Sequence, residues 1–239
     1  MQFLDLTLPT PEENLALDEA LLVLAEQGGG QEILRLWEIG GPCVVLGNFC
    51  RIVDDVNEDA CRADSVPVRR RISGGGTVLI GPGCLNFSLV LDMRSRPELA
   101  DVSRSHVLIL DRVSEVLAVK VPHIVFDGIS DLCVSGKKFS GNAQRRRRDW
   151  LLHHGTLLYN FPVEQISRYL REPARQPPYR ANRPHSDFVT NIPAAAASLK
   201  QELRFAWAAD DDLAPSWPHE LTARLVAERY AREEWIRRR

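Results

Sequence analysis

The chain has 239 residues, 44% of them apolar and 26% charged, with a formal net charge of -2. That length buries a substantial core and suits one domain, or one domain with a small extension. The near-neutral balance argues against a general nucleic-acid binder, and no run of eighteen apolar residues marks a membrane span.

Met1-Gln2-Phe3-Leu4-Asp5 lacks the basic start and apolar stretch of a signal peptide, and Glu12 and Glu13 speak against a transit peptide, so a cytoplasmic protein is expected. Thr10-Pro11-Glu12-Glu13 is a helix start: Thr10 caps, Pro11 suits the first turn and Glu13 completes a capping box. Leu17, Ala20, Leu21 and Leu24 follow at helical spacing until Gly28-Gly29-Gly30. Leu34 to Trp37 alternates like a strand, and Cys43 to Gly47 reads as a buried one. Val66 to Arg71 and Thr77 to Ile80 are expected to form a strand hairpin around Gly74-Gly75-Gly76, with a further strand over Leu85 to Leu91.

Val107, Leu110, Val113 and Leu117 mark a second amphipathic helix. His123 to Phe126, Leu132 to Val134 and Leu151 to Tyr159 read as strands, Val163 to Leu170 as a helix, and Pro173 to Arg183 as a loop. A helix from Pro193 to Trp207, a linker at Asp210-Asp211-Asp212 and a charged helix from Pro218 to Arg237 complete the chain. Locally connected strands with inserted helices predict an α+β fold with a mixed, largely antiparallel sheet. The expected division is a catalytic domain over residues 1–209 and a C-terminal helical extension over residues 210–239.

Chemistry concentrates in two segments. In Arg69-Arg70-Arg71-Ile72-Ser73-Gly74-Gly75-Gly76-Thr77, guanidinium groups precede three residues without Cβ, so backbone N–H groups can meet an anion beside fixed positive charge. Neither a Walker loop nor a dinucleotide fingerprint is present. In Asp131-Leu132-Cys133-Val134-Ser135-Gly136-Lys137-Lys138, Lys138 sits in a Gly-flanked turn where it can neutralise a carboxylate and an α-phosphate brought together for reaction, and Asp131 can bind Mg²⁺ or a nucleotide hydroxyl. The alternative is that both are surface charges at strand ends. Arg145 to Arg148 is a basic run suited to a solvated loop, an acidic partner or leaving pyrophosphate. His153 and His154 are adjacent on a strand and face opposite sides, which excludes a shared zinc ion. The five cysteines, Cys43, Cys50, Cys61, Cys84 and Cys133, contain no C-x-x-C pair and read as buried thiols, with one nucleophile among them as the sharper alternative.

These segments, together with Asn14-Leu15-Ala16-Leu17-Asp18, Val44-Val45-Leu46-Gly47, Leu85-Asn86-Phe87, Lys138-Phe139-Ser140-Gly141-Asn142-Ala143, His153-His154-Gly155-Thr156 and Asp187-Phe188-Val189-Thr190-Asn191, resemble the lipoate-protein ligase A family. That family is part of the biotin and lipoate ligase and octanoyltransferase superfamily, and the resemblance covers residues 10 to 192. It implies a biotin/lipoate ligase-like catalytic fold that joins lipoate to AMP from ATP and passes the lipoyl group to a lysine of a lipoyl-domain protein. Such acceptors are of the 2-oxoacid dehydrogenase E2 or glycine cleavage H protein type.

By the same match Lys138 is the catalytic cation, while Arg70, Arg71 and Gly74 to Gly76 shape the adenylate pocket. Asn86 and Asp131 serve the nucleotide or Mg²⁺. Ser73, Thr77, Ser140, Gly141, His154, Gly155 and Thr156 fall in substrate-binding or nucleotide-binding segments, and Leu79, Val134 and Leu151 are expected to line an acyl tunnel. Only a short segment follows Asn191, which implies a separate accessory subunit for adenylation. Two rivals remain: cofactor-independent octanoyl or lipoyl transfer through a thioester on Cys133 or Cys84, and a non-catalytic binder of lipoate or lipoyl domains. The enzymatic reading requires Lys138 and Gly74 to Gly76 to converge on one site.

Overall fold

The computed structural model describes residues 1–213 and 216–238; residues 214, 215 and 239, all in the expected extension, lie outside the described residues. The strands in chain order are β1 (Gln2–Asp5), β2 (Ile33–Trp37), β3 (Cys43–Leu46), β4 (Val68–Arg70), β5 (Val78–Ile80) and β6 (Cys84–Asp92). They continue with β7 (Val125–Asp127), β8 (Asp131–Val134), β9 (Lys137–Arg146), β10 (Trp150–Leu158) and β11 (Asp211–Asp212). Among the described residues, eight of these form one sheet in the order β11-β1-β2-β6-β10-β9-β8-β7, and β4-β3-β5 form a second. The large sheet is parallel at the β11-β1-β2 end and antiparallel across the rest, giving the mixed, largely antiparallel α+β fold expected.

The helices are α1 (Pro11–Leu24), α2 (Ile52–Asp55), α3 (Glu58–Ala63), α4 (Val102–Leu117), α5 (Ile166–Tyr169), α6 (His185–Phe188), α7 (Ala196–Ala206), α8 (His219–Leu225) and α9 (Glu233–Ile236). Helix α1 begins with the capping box expected at Thr10 and Glu13, so orphan N–H groups of its first turn are satisfied locally. Its residues Leu15, Leu17 and Leu21 pack with β3, β5 and the alternate residues Leu152 and Leu158 of β10. The opposite face of the large sheet, with Leu85, Phe87, Leu89, Leu91, Leu151 and Leu157, is covered by α4 and α7. Strand periodicity therefore sends every second side chain to a different core. No helix among the described residues is long and apolar enough to cross a membrane.

Some expectations change. Strands β4 and β5 do not pair with each other; both pair with β3, β4 in parallel and β5 antiparallel. The glycine segment is thus a crossover loop spanning β3 and not a hairpin turn, which explains why it needs seven residues between the strands. Lys138 is inside a ten-residue strand, β9, where a turn followed by a basic loop was expected. Pairing on both sides by β8 and β10 overrides the weak strand propensity of a segment carrying Gly141 and two terminal pairs of charges. Within the basic run, Arg146 is tied to Leu99 O, Ala100 O and Ser105, whereas Arg145, Arg147 and Arg148 are exposed.

Leu34 to Trp37 is buried on both faces, so Arg35 does not meet solvent. In α4 the inward residues are Ile109, Leu110, Val113 and Leu117, while Val107 is exposed. The Asp210 to Asp212 linker supplies β11, and the final charged helix is broken into α8, a wide turn over Val226–Tyr230, and α9. From this segment Leu225, Tyr230 and Ile236 enter the same core as α1.

His153 and His154 do face opposite sides. His153 stacks on Phe87 at 6.0 Å and meets His106 edge-on at 5.3 Å under α4, with Gln144 Nε2 at 3.2 Å from its Nδ1. Burial, with smaller contributions from His106 and His154, holds the His153 pKa well below its ordinary value. The neutral ring is native and the unfolded chain protonates below about pH 6.5, so this stability is complete above pH 6.5 and declines as pH falls. We expect the unfolding free energy, and with it the melting temperature, to fall between pH 7.5 and 5.5, the free energy by up to about 1.4 kcal/mol per pH unit below pH 6.5 for this site. In calorimetry, His153→Phe should flatten that acid slope; an unchanged slope would assign it to other groups.

Candidate functional site

A row of polar side chains crosses the α1 face of the large sheet: Arg35 on β2, Ser88 on β6 and His154 on β10 are successive cross-strand partners, and Ala143 on β9 follows them. Asp18 of α1 descends onto this row. Its Oδ1 lies 2.6 Å from Arg35 Nη1, and its Oδ2 accepts from Ser88 Oγ at 2.7 Å and faces His154 Nδ1 at 3.6 Å. Burial alone would raise the Asp18 pKa, but the Arg35 guanidinium and the contacts with His154 and Ser88 outweigh it and hold the carboxyl below its ordinary value. Both charges are essentially inaccessible to water, so each is the other's necessary counter-ion.

From His154 the row continues into the glycine loop. His154 Nε2 is 2.6 Å from Ser73 Oγ, which also accepts from Arg71 Nε at 2.9 Å. The Ser73 hydroxyl thus links the His154 ring to the Arg71 guanidinium. Arg71 then ties down the loop carbonyls, donating to Gly74 O at 2.6 Å, Gly76 O at 2.9 Å and Val45 O at 3.2 Å. Burial lowers its pKa to about 10, so it stays a cation at neutral pH. Cys50 Sγ approaches the remaining carbonyl, Gly75 O, at 3.5 Å. Among the described residues no hydrogen bond uses the N–H groups of Gly74, Gly75 or Gly76. Two of the three glycine carbonyls are thus held by Arg71, and the glycine N–H groups are left without a protein partner among the described residues, an arrangement that can accept an anion.

Lys138 reaches the same face through a β-bulge. Across β8 and β9 the register runs Cys133 to Lys138 and then Leu132 to Ser140, so Phe139 is an extra residue on β9. The insertion shifts the alternation by one, turning Lys138 to the side of Gly141 and Ala143. Its Nζ lies 2.8 Å from Asp131 Oδ1, above Gly141, where an added Cβ would sit only 2.7 Å from that nitrogen. The next outward residue, Ala143, lies 3.6 Å from the Cβ position of Gly75. Two strand residues, about 7 Å, therefore separate the ammonium's perch from the glycine loop. Lys138 and the glycine loop thus lie over the same sheet face, at Gly141 and Ala143 respectively.

Other sequence candidates lie elsewhere. Arg70 is wholly buried and donates to Ile236 O, Gly47 O and Cys50 O, so its guanidinium braces the root of the loop instead of lining a pocket. Ser140 accepts from Asn142 Nδ2 at 3.1 Å on the opposite sheet face, and Gly155 faces the same way, where a Cβ would strike Asn142 Oδ1. Thr77 turns to Asp55. Asn86 and Thr156 are cross-strand partners on the α1 face, with the Asn86 amide spent on Trp37 O and Cys84 O. The proposed tunnel residues divide between the two cores, Leu79 in one, Leu151 and Val134 in the other, so they cannot line a single channel.

Asp131 does not fit a protein-held Mg²⁺ site. Its Oδ1 is paired with Lys138 and its Oδ2 accepts from Tyr179 OH at 2.6 Å; among the described residues no group of three or more His, Cys, Asp or Glu side chains is arranged for an ion. A cleft of about 230 Å³ beside Glu58, Cys61 and Arg237 includes neither Lys138 nor the glycine loop in its lining.

Asp18, Arg35, Ser88 and Tyr179 were not singled out as site residues from sequence. The signal for the first two was present: one acid in an apolar helix and one arginine in an apolar strand must find each other once both are buried. Tyr179 carried no such signal, because its partner is set by the path of a loop.

A sequence model of the lipoyl protein ligase A/B catalytic domain matches residues 10–211. A probable lipoate-protein ligase A from Mycoplasma pneumoniae is 32% identical over 164 residues, 67% of this chain and 46% of that protein. The octanoyltransferase LipM of Oceanobacillus iheyensis is 27% identical over 77% of this chain and 74% of its own length. A structure from an archaeal lipoylation system, described as a bi-partite lipoate protein ligase and its E2 lipoyl domain from Thermoplasma acidophilum, has the same fold with a TM-score of 0.81 at 21% identity, covering 98% of this chain and 94% of the other. The chain thus spans about half the length of the Mycoplasma ligase it matches.

The buried pair gives a direct stability test. Asp18→Asn should destabilise the protein by about 3–5 kcal/mol, because Arg35 stays charged and buried without a counter-ion. Adding Arg35→Leu should recover a large part of that loss in denaturant titration; full additivity of the two changes would contradict the pairing.

Proposed function

The chain belongs to the lipoyl protein ligase A/B catalytic domain family, and from that membership we propose that it acts as a lipoate-protein ligase, activating lipoate with ATP and transferring the lipoyl group to a lysine of a lipoyl-domain protein. The observation that carries this reading is the bulge that turns Lys138 onto the face of the glycine loop. A free carboxylate is a poor acyl donor, and bringing it to a phosphate sets two anions against each other. The Lys138 ammonium would sit between them, while the unused N–H groups of Gly74 to Gly76 would take phosphate oxygens. In the first step a carboxylate oxygen attacks the α-phosphorus and pyrophosphate leaves. In the second the acceptor amine attacks the acyl carbon and AMP leaves. No step is routed through Mg²⁺, since Asp131 is committed to Lys138 and Tyr179.

Residues 1–209 would form the catalytic unit and residues 210–239 its extension. The acceptor would be a lipoyl domain of the 2-oxoacid dehydrogenase E2 or glycine cleavage H protein type. A separate accessory chain would supply what the longer ligases carry in one polypeptide; the bi-partite organisation of the Thermoplasma ligase supports that arrangement.

Kinship with octanoyltransferases favours a second reading, transfer through a cysteine thioester. The thiols argue against it. Burial raises the pKa of Cys133, with Asp131 and Asp127 adding to the shift and Tyr179 and Lys138 opposing it, and burial pushes Cys84 up to about 12. Nucleophilic attack needs the thiolate, which both sites suppress.

The assay supplies lipoate, ATP and an apo lipoyl domain, with octanoyl carrier protein as the competing donor. We expect Lys138→Ala to lower acyl-adenylate formation about 10²–10³-fold at unchanged melting temperature, and Cys133→Ser to leave the reaction within about twofold. ATP-independent transfer from the carrier protein, abolished by Cys133→Ser, would replace the ligase reading with the thioester one.

A further inference from the structure

The loop that follows α5 ends over the catalytic face. A short turn at Pro178–Arg180 presents Tyr179, whose hydroxyl donates to Asp131 Oδ2 at 2.6 Å while Lys138 holds Oδ1 at 2.8 Å. The carboxylate is therefore gripped from both sides, with a side-chain exposure of 12%. The loop is itself braced. Arg180 is buried, pairs with Glu172 and donates to Arg183 O at 2.9 Å; Arg183 returns a bond to Tyr179 O at 2.9 Å. The guanidinium groups of Arg180 and Arg183 lie over the Phe188 ring at 4.8 and 5.4 Å, and Tyr179 tilts against the same ring at 5.2 Å. One residue further on, Val189 bridges to Lys138, and Thr190 N donates to Lys138 O at 2.9 Å. The loop and the segment after it thus hold Lys138 twice, at its backbone through Val189 and Thr190 and at its ammonium through Tyr179 and Asp131.

We infer that Tyr179 is a positioning residue for the acyl-activating lysine: by occupying Asp131 Oδ2 it fixes the carboxylate rotation, so that Oδ1 alone meets Lys138 and the ammonium is held over Gly141 with its remaining protons free for substrate oxygens. This rests on the ligase reading for its catalytic meaning, but the mechanical coupling stands on geometry alone. An unclamped carboxylate could rotate and share both oxygens with Lys138, drawing the ammonium away from Gly141. An ammonium has three protons, and pairing with one oxygen of Asp131 leaves at least two of them for a carboxylate and a phosphate. The phenol keeps its proton, since burial and the adjacent Asp131 raise its pKa, so it acts as a donor and adds no negative charge beside Lys138.

The test reads the lysine directly. The sequence has four lysines, Lys120, Lys137, Lys138 and Lys200, so ¹³Cε-labelled lysine gives few signals, and Lys138→Arg assigns the relevant one. In the full chain, Tyr179→Phe keeps the ring and removes only the hydroxyl. We expect the Lys138 signal to shift in Tyr179→Phe and in Asp131→Asn, and the double variant to match Asp131→Asn alone, while the melting temperature of Tyr179→Phe stays near wild type. Acyl-adenylate formation by Tyr179→Phe should lose about 10–100-fold in kcat, the scale of one hydrogen bond to a charged group, with KM for ATP little changed. An unmoved Lys138 signal in Tyr179→Phe, or a further shift when Tyr179→Phe is added to Asp131→Asn, overturns the inference. If wild type forms no acyl-adenylate, the ligase reading fails, and the signals still decide whether Tyr179 acts on Lys138 through Asp131.

Discussion

The ion pair between Asp18 and Arg35 is the constraint on which the candidate site depends. Two opposite charges sealed between a helix and a sheet are tolerable only at contact, which locks α1 to β2 at one rotation and one height. Everything in the polar row follows from that fixed point. Asp18 has a second oxygen to spend, and it spends it on Ser88 and His154. His154 in turn orients Ser73, and Ser73 orients Arg71, so the shape of a surface loop is dictated from the centre of the core. Such a chain of bonds specifies geometry more than it adds stability, because each member is satisfied only in one arrangement.

A second device, equally local, governs the cation. Regular alternation along β9 would send Lys138 into the core beneath α4 and α7, where an unpaired ammonium is prohibitive. One extra residue, Phe139, reverses this: the ring takes the apolar position, buried with Leu132, and the lysine takes the polar one. The same bulge explains why Gly141 is tolerated in the middle of a strand, since the ammonium occupies the volume that a side chain would fill. Nucleophilic alternatives are weakened by the fold itself. The strands that carry Cys84 and Cys133 are interior, and a thiol placed there behaves as a small apolar group.

The helix start at Thr10, the strands around Leu132 and Leu151, and the mixed sheet were legible because capping chemistry and strand periodicity are local signals. The pairing of β4 and β5 through β3 was not, since two short strands flanking glycines look like a hairpin until the third strand inserts. Strand β9 was obscured by its own composition: a segment that carries Lys138, Gly141 and the arginines cannot also carry a clean apolar alternation. Residue type and spacing pointed to Lys138, Asp131 and the three glycines, and the fold puts Lys138 and Asp131 in contact on the sheet face that the glycine loop overlies. Ser140, Gly155 and Thr77 were carried in by their motifs, and in the fold they support neighbours on other faces. Arg70 reads as a ligand for anions because nothing in its sequence neighbourhood reveals the carbonyls that surround it. Tyr179 is invisible for the converse reason, as an ordinary loop tyrosine whose importance exists only in three dimensions.

The bonds from Arg70 to Ile236 join positions 166 residues apart in sequence. A guanidinium enclosed at the base of the loop cannot make all of its bonds until the distant segment carrying Ile236 has docked beside it. Contacts of such long range form slowly, because the intervening chain must be ordered first. The glycine loop should therefore be among the last parts of the molecule to acquire its native form, and its shape reports that the two distant segments have docked.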